Sequence, residues 1–298
     1  MPASLAGLTV AVIGGDLRQA AVAAEVARLG GRVRTYALPE STEPGVTGAG
    51  SLTEALAGAN VVVLPISGVN RDGGVNTLPG LPVVKLDPEF WRALLPGTLI
   101  VAGSLPKEAK RHVEAGGHRL VEYAEIDEIA ILNSIPTAEG ALQLAMEGLP
   151  ITIHGCCCFV LGLGRVGLTT ARLFKAVGAD TWVAANRPAL KARAHEMGCR
   201  SVGFCDLPGE IGRADLVVNT VPALVVPREL LVLTKPSVYL IDLASAPGGV
   251  DFEAAAALGR RAKLALGLPG KVAPESAGRI LSATLPAIIQ KELGQAGR

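Results

Sequence analysis

The sequence predicts an α/β protein: two doubly wound, Rossmann-like parallel sheets joined by a helical hinge. Three observations carry that expectation. Apolar runs of strand length alternate with helical stretches twice along the 298 residues, the pattern of parallel strands with right-handed crossovers. Apolar residues make up 49% of the chain and aromatics only 3%, which suits strands of Val, Ile, Leu and Ala covered by helices. One such run ends in Gly162-Leu-Gly164-Arg-Val-Gly167 and passes straight into a helical pattern, the context in which a glycine-rich turn is informative.

Element by element, the first half reads as strands LTVAVIGG (8–15), RVRTYAL (32–38), NVVVLPI (60–66), GTLIVAG (97–103) and RLVEYA (119–124). Helices are expected between them, among them Leu17–Leu29 and Pro106–Ala115. Gly68–Leu86, rich in Gly, Pro and Asn, reads as a loop. A connecting helix is expected over 137–147, with Pro136 at its start and Gly148 at its end. The second half gives strands CCFVLGLG (157–164), DTWVAA (180–185), DLVVNT (215–220), SVYLIDLA (237–244) and a short KLALGL (263–268). Pro274–Leu293 reads as a last helix interrupted by Pro286. The expected domains are 1–135, a substrate domain; 136–150, the connecting helix; 151–272, a dinucleotide domain; and 273–298, a returning helix. Ligands of doubly wound sheets bind beyond the carboxyl ends of the strands, so an inter-domain cleft is the expected site.

Composition excludes several functions. A net charge of +1 with 18% charged residues, and no basic run longer than Lys110-Arg111 or Arg260-Arg261, gives no footprint for nucleic acid. No apolar run approaches the roughly 20 residues that span a bilayer. The opening MPASLAGLTVAVIGGD reads as a strand entering a turn and not as an export signal, so a cytoplasmic location is expected. Of five cysteines, three are consecutive, Cys156, Cys157 and Cys158. That spacing is not that of a zinc site, so they read as small buried hydrophobes and no metal is expected.

The glycine turn has a division of labour. Gly162 permits the tight turn, Gly164 lets backbone N–H groups approach a pyrophosphate, and Gly167 allows close helix packing. Arg165 and Val166 stand between them, at the start of a helix whose partial positive charge favours phosphate. In NAD proteins an acidic residue about 20 positions on holds the ribose. Here the second strand ends Ala184-Ala185-Asn186-Arg187. Asn and Arg suit a 2′-phosphate, so NADP is the preferred cofactor, with NAD as the alternative. Asn219, Thr220, Val221 and Pro222 end one strand and Ser245 follows another, where cofactor contacts are expected. The earlier turn Gly14-Gly15-Asp16 lacks the third glycine, and Asp16 reads first as a helix cap. With Arg18 it is also a candidate for substrate binding.

The domain order resembles the D-2-hydroxy-acid dehydrogenases, but the residues depart from them. Ser245 stands near that family's Arg, and Gly267–Glu275 lacks its late His; the four histidines are His112, His118, His154 and His195. A closer likeness lies in GGDLRQ (14–19), ILNSIPTAEGALQLAM (131–146), TIHG (152–155) ahead of VLGLGRVG (160–167), and LGLPGKVAPESAG (266–278). Together these resemble the dipicolinate synthase A subunit family along essentially the whole chain; the triple cysteine departs from it. The resemblance implies a nicotinamide-linked oxidation of a dihydropyridine dicarboxylate from the lysine pathway to dipicolinate. It implies the mother cell of a spore-forming bacterium as the setting. Its implied partner is the flavoprotein-like B subunit of dipicolinate synthase. A homo-oligomer is also expected.

A dicarboxylate substrate calls for cations, hydroxyls and free N–H groups. Lys271, in a Gly-Pro-rich loop, either aims its ammonium at substrate or is a solvated loop lysine. Asn133, Ser134 and Thr137 either donate to a carboxylate or to the nicotinamide amide, or cap the helix. Glu139, expected in the first helical turn, answers the helix dipole or accepts a proton. His154 is a general base or a structural histidine. The acidic cluster Glu125, Asp127 and Glu128 would repel a dicarboxylate and reads as a solvated edge. Two other functions fit the same residues: a non-catalytic NADP-binding subunit, and a stand-alone NADP reductase of the shikimate dehydrogenase kind.

Overall fold

The computed structural model describes residues 4–295; residues 1–3 and 296–298, at the ends of the first and last expected segments, lie outside the described residues. The chain forms two compact units. One comprises the chain up to Ala130 together with Ala273 onward, the other Ile131–Val272.

In the first unit the strands are β1 (Thr9–Ile13), β2 (Arg32–Tyr36), β3 (Val46–Gly48), β4 (Val61–Val63), β5 (Gly74–Val75), β6 (Val84–Lys85), β7 (Leu99–Ala102) and β8 (Arg119–Glu122). Six of them make a parallel sheet in the order β3-β2-β1-β4-β7-β8. The remaining two form an antiparallel hairpin inside Gly68–Leu86, which is therefore more ordered than the loop expected there. Helices α1 (Leu17–Arg28), α2 (Leu52–Leu56), α3 (Pro88–Ala93) and α4 (Lys107–Ala115) connect the strands. Strand alternation divides the core. Val10 and Val12 pack with Val22 and Val26 of α1, whereas Ala11 and Ile13 pack with Leu56, Phe90 and Val113 on the other face. Burying each of these larger side chains stabilises the unit by about 1.5–3 kcal/mol.

Helix α5 (Asp127–Gly148) carries the chain into the second unit. It begins at Asp127 rather than at Thr137, and Pro136 lies inside it instead of at its start. An internal Pro costs about 3 kcal/mol. Burial of Ile129 in the first core, and of Ala138, Ala141 and Ala145 further along, offsets that cost and keeps the helix continuous.

The second unit repeats the first sheet's order. Its strands β9 (Cys157–Leu161), β10 (Asp180–Ala184), β11 (Arg200–Val202), β12 (Leu216–Asn219), β13 (Tyr239–Asp242) and β14 (Arg261–Leu264) run parallel as β11-β10-β9-β12-β13-β14. The connecting helices are α6 (Arg165–Ala176), α7 (Pro188–Glu196), α8 (Leu207–Glu210), α9 (Arg228–Val232), α10 (Phe252–Ala257) and α11 (Leu268–Val272). Cys156 and Cys158 are buried in a core with Val160, Phe174 and Ala141, so two of the three consecutive thiols are packing groups. The order of strands reverses between β9 and β12, where doubly wound sheets open a crevice at their carboxyl ends.

The chain returns to the first unit as α12 (Pro274–Gln295), unbroken through Pro286. Leu281, Leu285 and Ile289 on one stripe are fully buried against α1, which again outweighs the local cost of proline. No described helix is long and apolar enough to cross a membrane.

Candidate dinucleotide site

The second sheet's first strand ends at Leu161, and the chain turns at Gly162 with φ of +89°. That backbone conformation favours glycine. A Cβ here would also lie 2.8 Å from both Thr220 Oγ1 and Val221 Cγ2. A Cβ on Gly167, in the first turn of α6, would run into the carbonyl oxygen of Gly162. Helix and turn are thus pressed together at two glycines for steric reasons. Gly164 differs. It is the N-cap of α6 with ordinary φ of −82° and no side-chain cap bond, and a Cβ there would meet nothing within 4 Å. Leu168 N makes its helical bond to Gly164 O at 2.9 Å. The N–H groups of Val166 and Gly167 precede it, so they lie among the donors that a helix start leaves for an anion. Thr220 holds the neighbouring strand end against the turn, donating from N and Oγ1 to Leu161 O at 3.0 and 2.8 Å.

The end of β10 separates the two residues expected to read the ribose. Asn186 Oδ1 accepts from Phe204 N at 3.0 Å, so its amide orders the loop after β11 and presents only its NH2 as a donor. Arg187 is exposed, caps the start of α7 without a side-chain bond, and has no ion pair among the described residues.

Asn219 is not available to a ligand, contrary to expectation. It is fully buried, and its Nδ2 donates to Val221 O at 3.0 Å and to Asp242 Oδ1 at 2.7 Å. Asp242, also fully buried, further accepts from Ala244 N at 3.0 Å, Gly249 N at 2.7 Å and Val250 N at 3.2 Å. One carboxylate therefore fixes the loop after β13 and, through Asn219, the end of β12. Sequence reading missed it; the signal was an acidic residue closing an apolar strand, Tyr239-Leu-Ile-Asp242. Val221 is half-buried and Pro222 exposed at the end of β12. Ser245 is exposed at the start of a turn in which Gly248 N donates to its carbonyl at 2.9 Å.

Helix α5 brings its candidates to the same end of this unit. Ser134 Oγ lies 2.6 Å from Thr169 Oγ1, so this part of α5 lies beside the first turns of α6. At the other end of α5, a Cβ on Gly148 would strike the ring of Tyr239, the first residue of β13. The Ser134 end of α5 therefore stands at the carboxyl ends of the strands. Ser134 is buried inside the helix and also donates to Ile131 O at 2.6 Å, so it caps nothing. Thr137 Oγ1 donates to Asn133 O at 2.8 Å. Asn133 Oδ1 is buried without a hydrogen-bond partner among the described residues. Glu139 is exposed in the helix interior, not in its first turn. Lys271 sits on α11 rather than in a loop; it is exposed and donates to Leu266 O at 2.8 Å. That helix packs on α5, where a Cβ on Gly140 would lie 3.0 Å from Leu268 Cβ.

Three candidates fall elsewhere. His154 precedes β9, at the amino end of the strand whose carboxyl end carries the glycine turn. It is exposed, and its ring packs against Gly178, so it is not brought to the turn. Asp16 and Arg18 belong to the first unit and occupy each other. Arg18 Nη2 and Nε donate to Asp16 at 2.7 and 2.9 Å, and Asp16 caps α1. Burial alone would raise the Asp16 carboxyl, but its hydrogen bond with the Arg18 side chain and that charge hold it below its ordinary value. Arg18 itself is only 5% exposed.

A family model for the N-terminal domain of the dipicolinate synthase A subunit matches residues 9–124. The chain is 34% identical over 297 residues to the dipicolinate synthase A subunit of Bacillus subtilis (strain 168), spanning 99% of this chain and 100% of that protein. The crystal structure of the dipicolinate synthase A subunit from Bacillus halodurans superposes with a TM-score of 0.90 at 36% identity, covering 96% of this chain and 98% of that one. A transhydrogenase from Sinorhizobium meliloti shares the fold with a TM-score of 0.67 at 17% identity, over 95% and 94% of the two chains.

Proposed function

The chain belongs to the dipicolinate synthase A subunit family, and from that premise we propose that it is an NADP-linked dehydrogenase that oxidises a dihydropyridine dicarboxylate to dipicolinate. The observation that carries this reading is the glycine turn. Two of its glycines are required by packing against protein, whereas Gly164 faces open space at a helix start with no side-chain cap. Those features fit a pyrophosphate. Arg187, exposed and without an ion pair among the described residues, fits a 2′-phosphate, which it would grip through a charge-assisted fork. NAD is the alternative if that fork is not used.

A nicotinamide dinucleotide bound there supplies the acceptor for a hydride equivalent. The chain's own contribution is binding and alignment. Aromatisation lowers the demand on a base, so positioning contributes most of the rate. Lys271 has one carbonyl partner, and an ammonium has three donors, which leaves it able to hold a substrate carboxylate. Ser134, bonded to Thr169, holds α5 beside α6. The ring gives up a hydride equivalent and a proton, the proton passing to solvent or to a group on the substrate side. The setting of this reading is the mother cell of a spore-forming bacterium, with the flavoprotein-like B subunit of the synthase as partner.

A non-catalytic, cofactor-binding subunit is the second reading, favoured by the placement of His154 away from the turn. The full chain with the B subunit, the cyclic precursor and NADP should yield dipicolinate absorbance in step with NADPH. Arg187→Ala should lower NADP affinity at least about tenfold and leave NAD affinity near wild type. Failure of both NADP and NAD to bind in a calorimetric titration overturns the proposal, and undiminished turnover in Lys271→Ala favours the second reading.

A further inference from the structure

Most buried polar atoms of folded proteins have a partner, so an orphan asks for an explanation. Asn133 Oδ1 is such an atom, and it lies on the α5 segment next to the start of α6. Its surroundings explain why protein does not satisfy it. The neighbouring hydroxyls are already committed: Thr137 Oγ1 donates to the Asn133 carbonyl, and Ser134 Oγ is bonded to Ile131 O and Thr169 Oγ1. Asn133, Thr137 and Gly140 share one face of the helix by their spacing, and Gly140 on that face is closed by Leu268 and Val272 of α11. The α11 side chains that close this face, Leu268 and Val272, offer no donor to the oxygen.

We infer that Asn133 is a positioning residue whose side-chain oxygen accepts a hydrogen bond from the carboxamide N–H of the nicotinamide. This rests on the cofactor reading above and adds the residue that orients the ring. The polarity of the contact is specific. The orphan atom is an acceptor, so it selects a ligand that offers a donor. A dicarboxylate offers acceptors at both of its acid groups. The carboxamide offers two N–H donors, and it belongs to the ligand whose phosphates the glycine turn would hold at this end of the sheet. Fixing the carboxamide fixes the rotation of the ring to which it is attached, and so which face of the ring meets the substrate.

The test is calorimetric titration of the full-length chain with NADP, with its acetylpyridine analogue and with an adenosine bisphosphate fragment lacking the pyridine. The acetyl group has no N–H. Wild type should bind the analogue about tenfold more weakly than NADP. Asn133→Leu should abolish that discrimination and leave the adenosine fragment's affinity unchanged, and Asn133→Asp, which keeps an acceptor, should retain the discrimination. Equal binding of NADP and its analogue by wild type overturns the inference, as does unchanged discrimination in Asn133→Leu. If Asn133→Leu does not fold, loss of discrimination in Asn133→Asp overturns it in its place. Should wild type bind no dinucleotide and no fragment, the cofactor reading itself falls, which is a different result.

Discussion

Asp242 Oδ1 and Asn219 Nδ2 meet at 2.7 Å across the paired ends of β13 and β12, both residues fully buried. The same carboxylate serves three backbone N–H groups after β13. Replacing it with Ala strands three backbone donors at once, each costing on the order of 1 kcal/mol or more, and leaves Asn219 Nδ2 with Val221 O alone. Asp242→Ala should lose about 3 kcal/mol in urea unfolding, and Asp242→Asn less, since its remaining oxygen still accepts. A loss under about 1 kcal/mol in the Ala variant would show that the loop does not depend on this carboxylate.

The three glycines of the turn should separate folding from binding. Gly167→Ala pushes a methyl into Gly162 O and should cost about 2 kcal/mol of stability. Gly164→Ala meets open space at an ordinary φ and should change stability by only a few tenths of a kcal/mol. It should still weaken dinucleotide binding at least about tenfold, because its methyl occupies the side on which phosphate would approach. Thermal unfolding alongside calorimetry checks both; a destabilised Gly164→Ala would contradict the geometry.

Thiol chemistry follows from burial. Cys156 and Cys157 are pushed up to about 11, chiefly by desolvation, and Cys158 is raised as well for the same reason. At pH 8 about one molecule in a thousand carries the thiolate at either of the first two. Alkylation of the native protein should therefore label exposed Cys205 first and leave the triplet nearly untouched. Labelling of Cys157 should climb about tenfold per pH unit toward pH 11. Peptide mapping by mass spectrometry reads each site, and early labelling of Cys156 or Cys158 would count against the packed core.

The Asp16–Arg18 pair has a pH signature. Because the folded carboxyl lies below its ordinary value of 3.8, its contribution is fully present above that pH and is lost as pH falls through the folded value. Arg18→Met should cost about 2 kcal/mol at neutral pH, with the deficit shrinking below about pH 4. Denaturant midpoints measured across that range test it; a deficit that widens in acid would reverse the assignment.

How much of this was legible in sequence depended on length and burial. The inner strands announce themselves because a strand covered on both faces is a continuous apolar run, as in Val61–Val63 or Leu99–Ala102. Strands β3 and β11 are three residues each, Val-Thr-Gly and Arg-Ser-Val, and are too short and polar to signal. Both long helices run through a proline that sequence rules treat as a boundary, since tertiary burial is not visible locally. The glycine turn was legible because its chemistry is local. The Asn219–Asp242 bond joins residues 23 apart in sequence, and only the pairing of β12 with β13 makes them neighbours.

The two sheets share one strand order and one strand–turn–helix opening, yet their first helices start differently. At α1 the Asp16 carboxylate accepts from Arg18 N at 3.0 Å and is clasped by the Arg18 guanidinium; at α6, Gly164 has no side chain to offer. The first copy of the architecture thus carries its own tethered counter-ion. A free phosphate there would have to displace a carboxylate that the chain itself holds in place. A single carboxylate thus fills at α1 the place that α6 leaves without a side-chain cap.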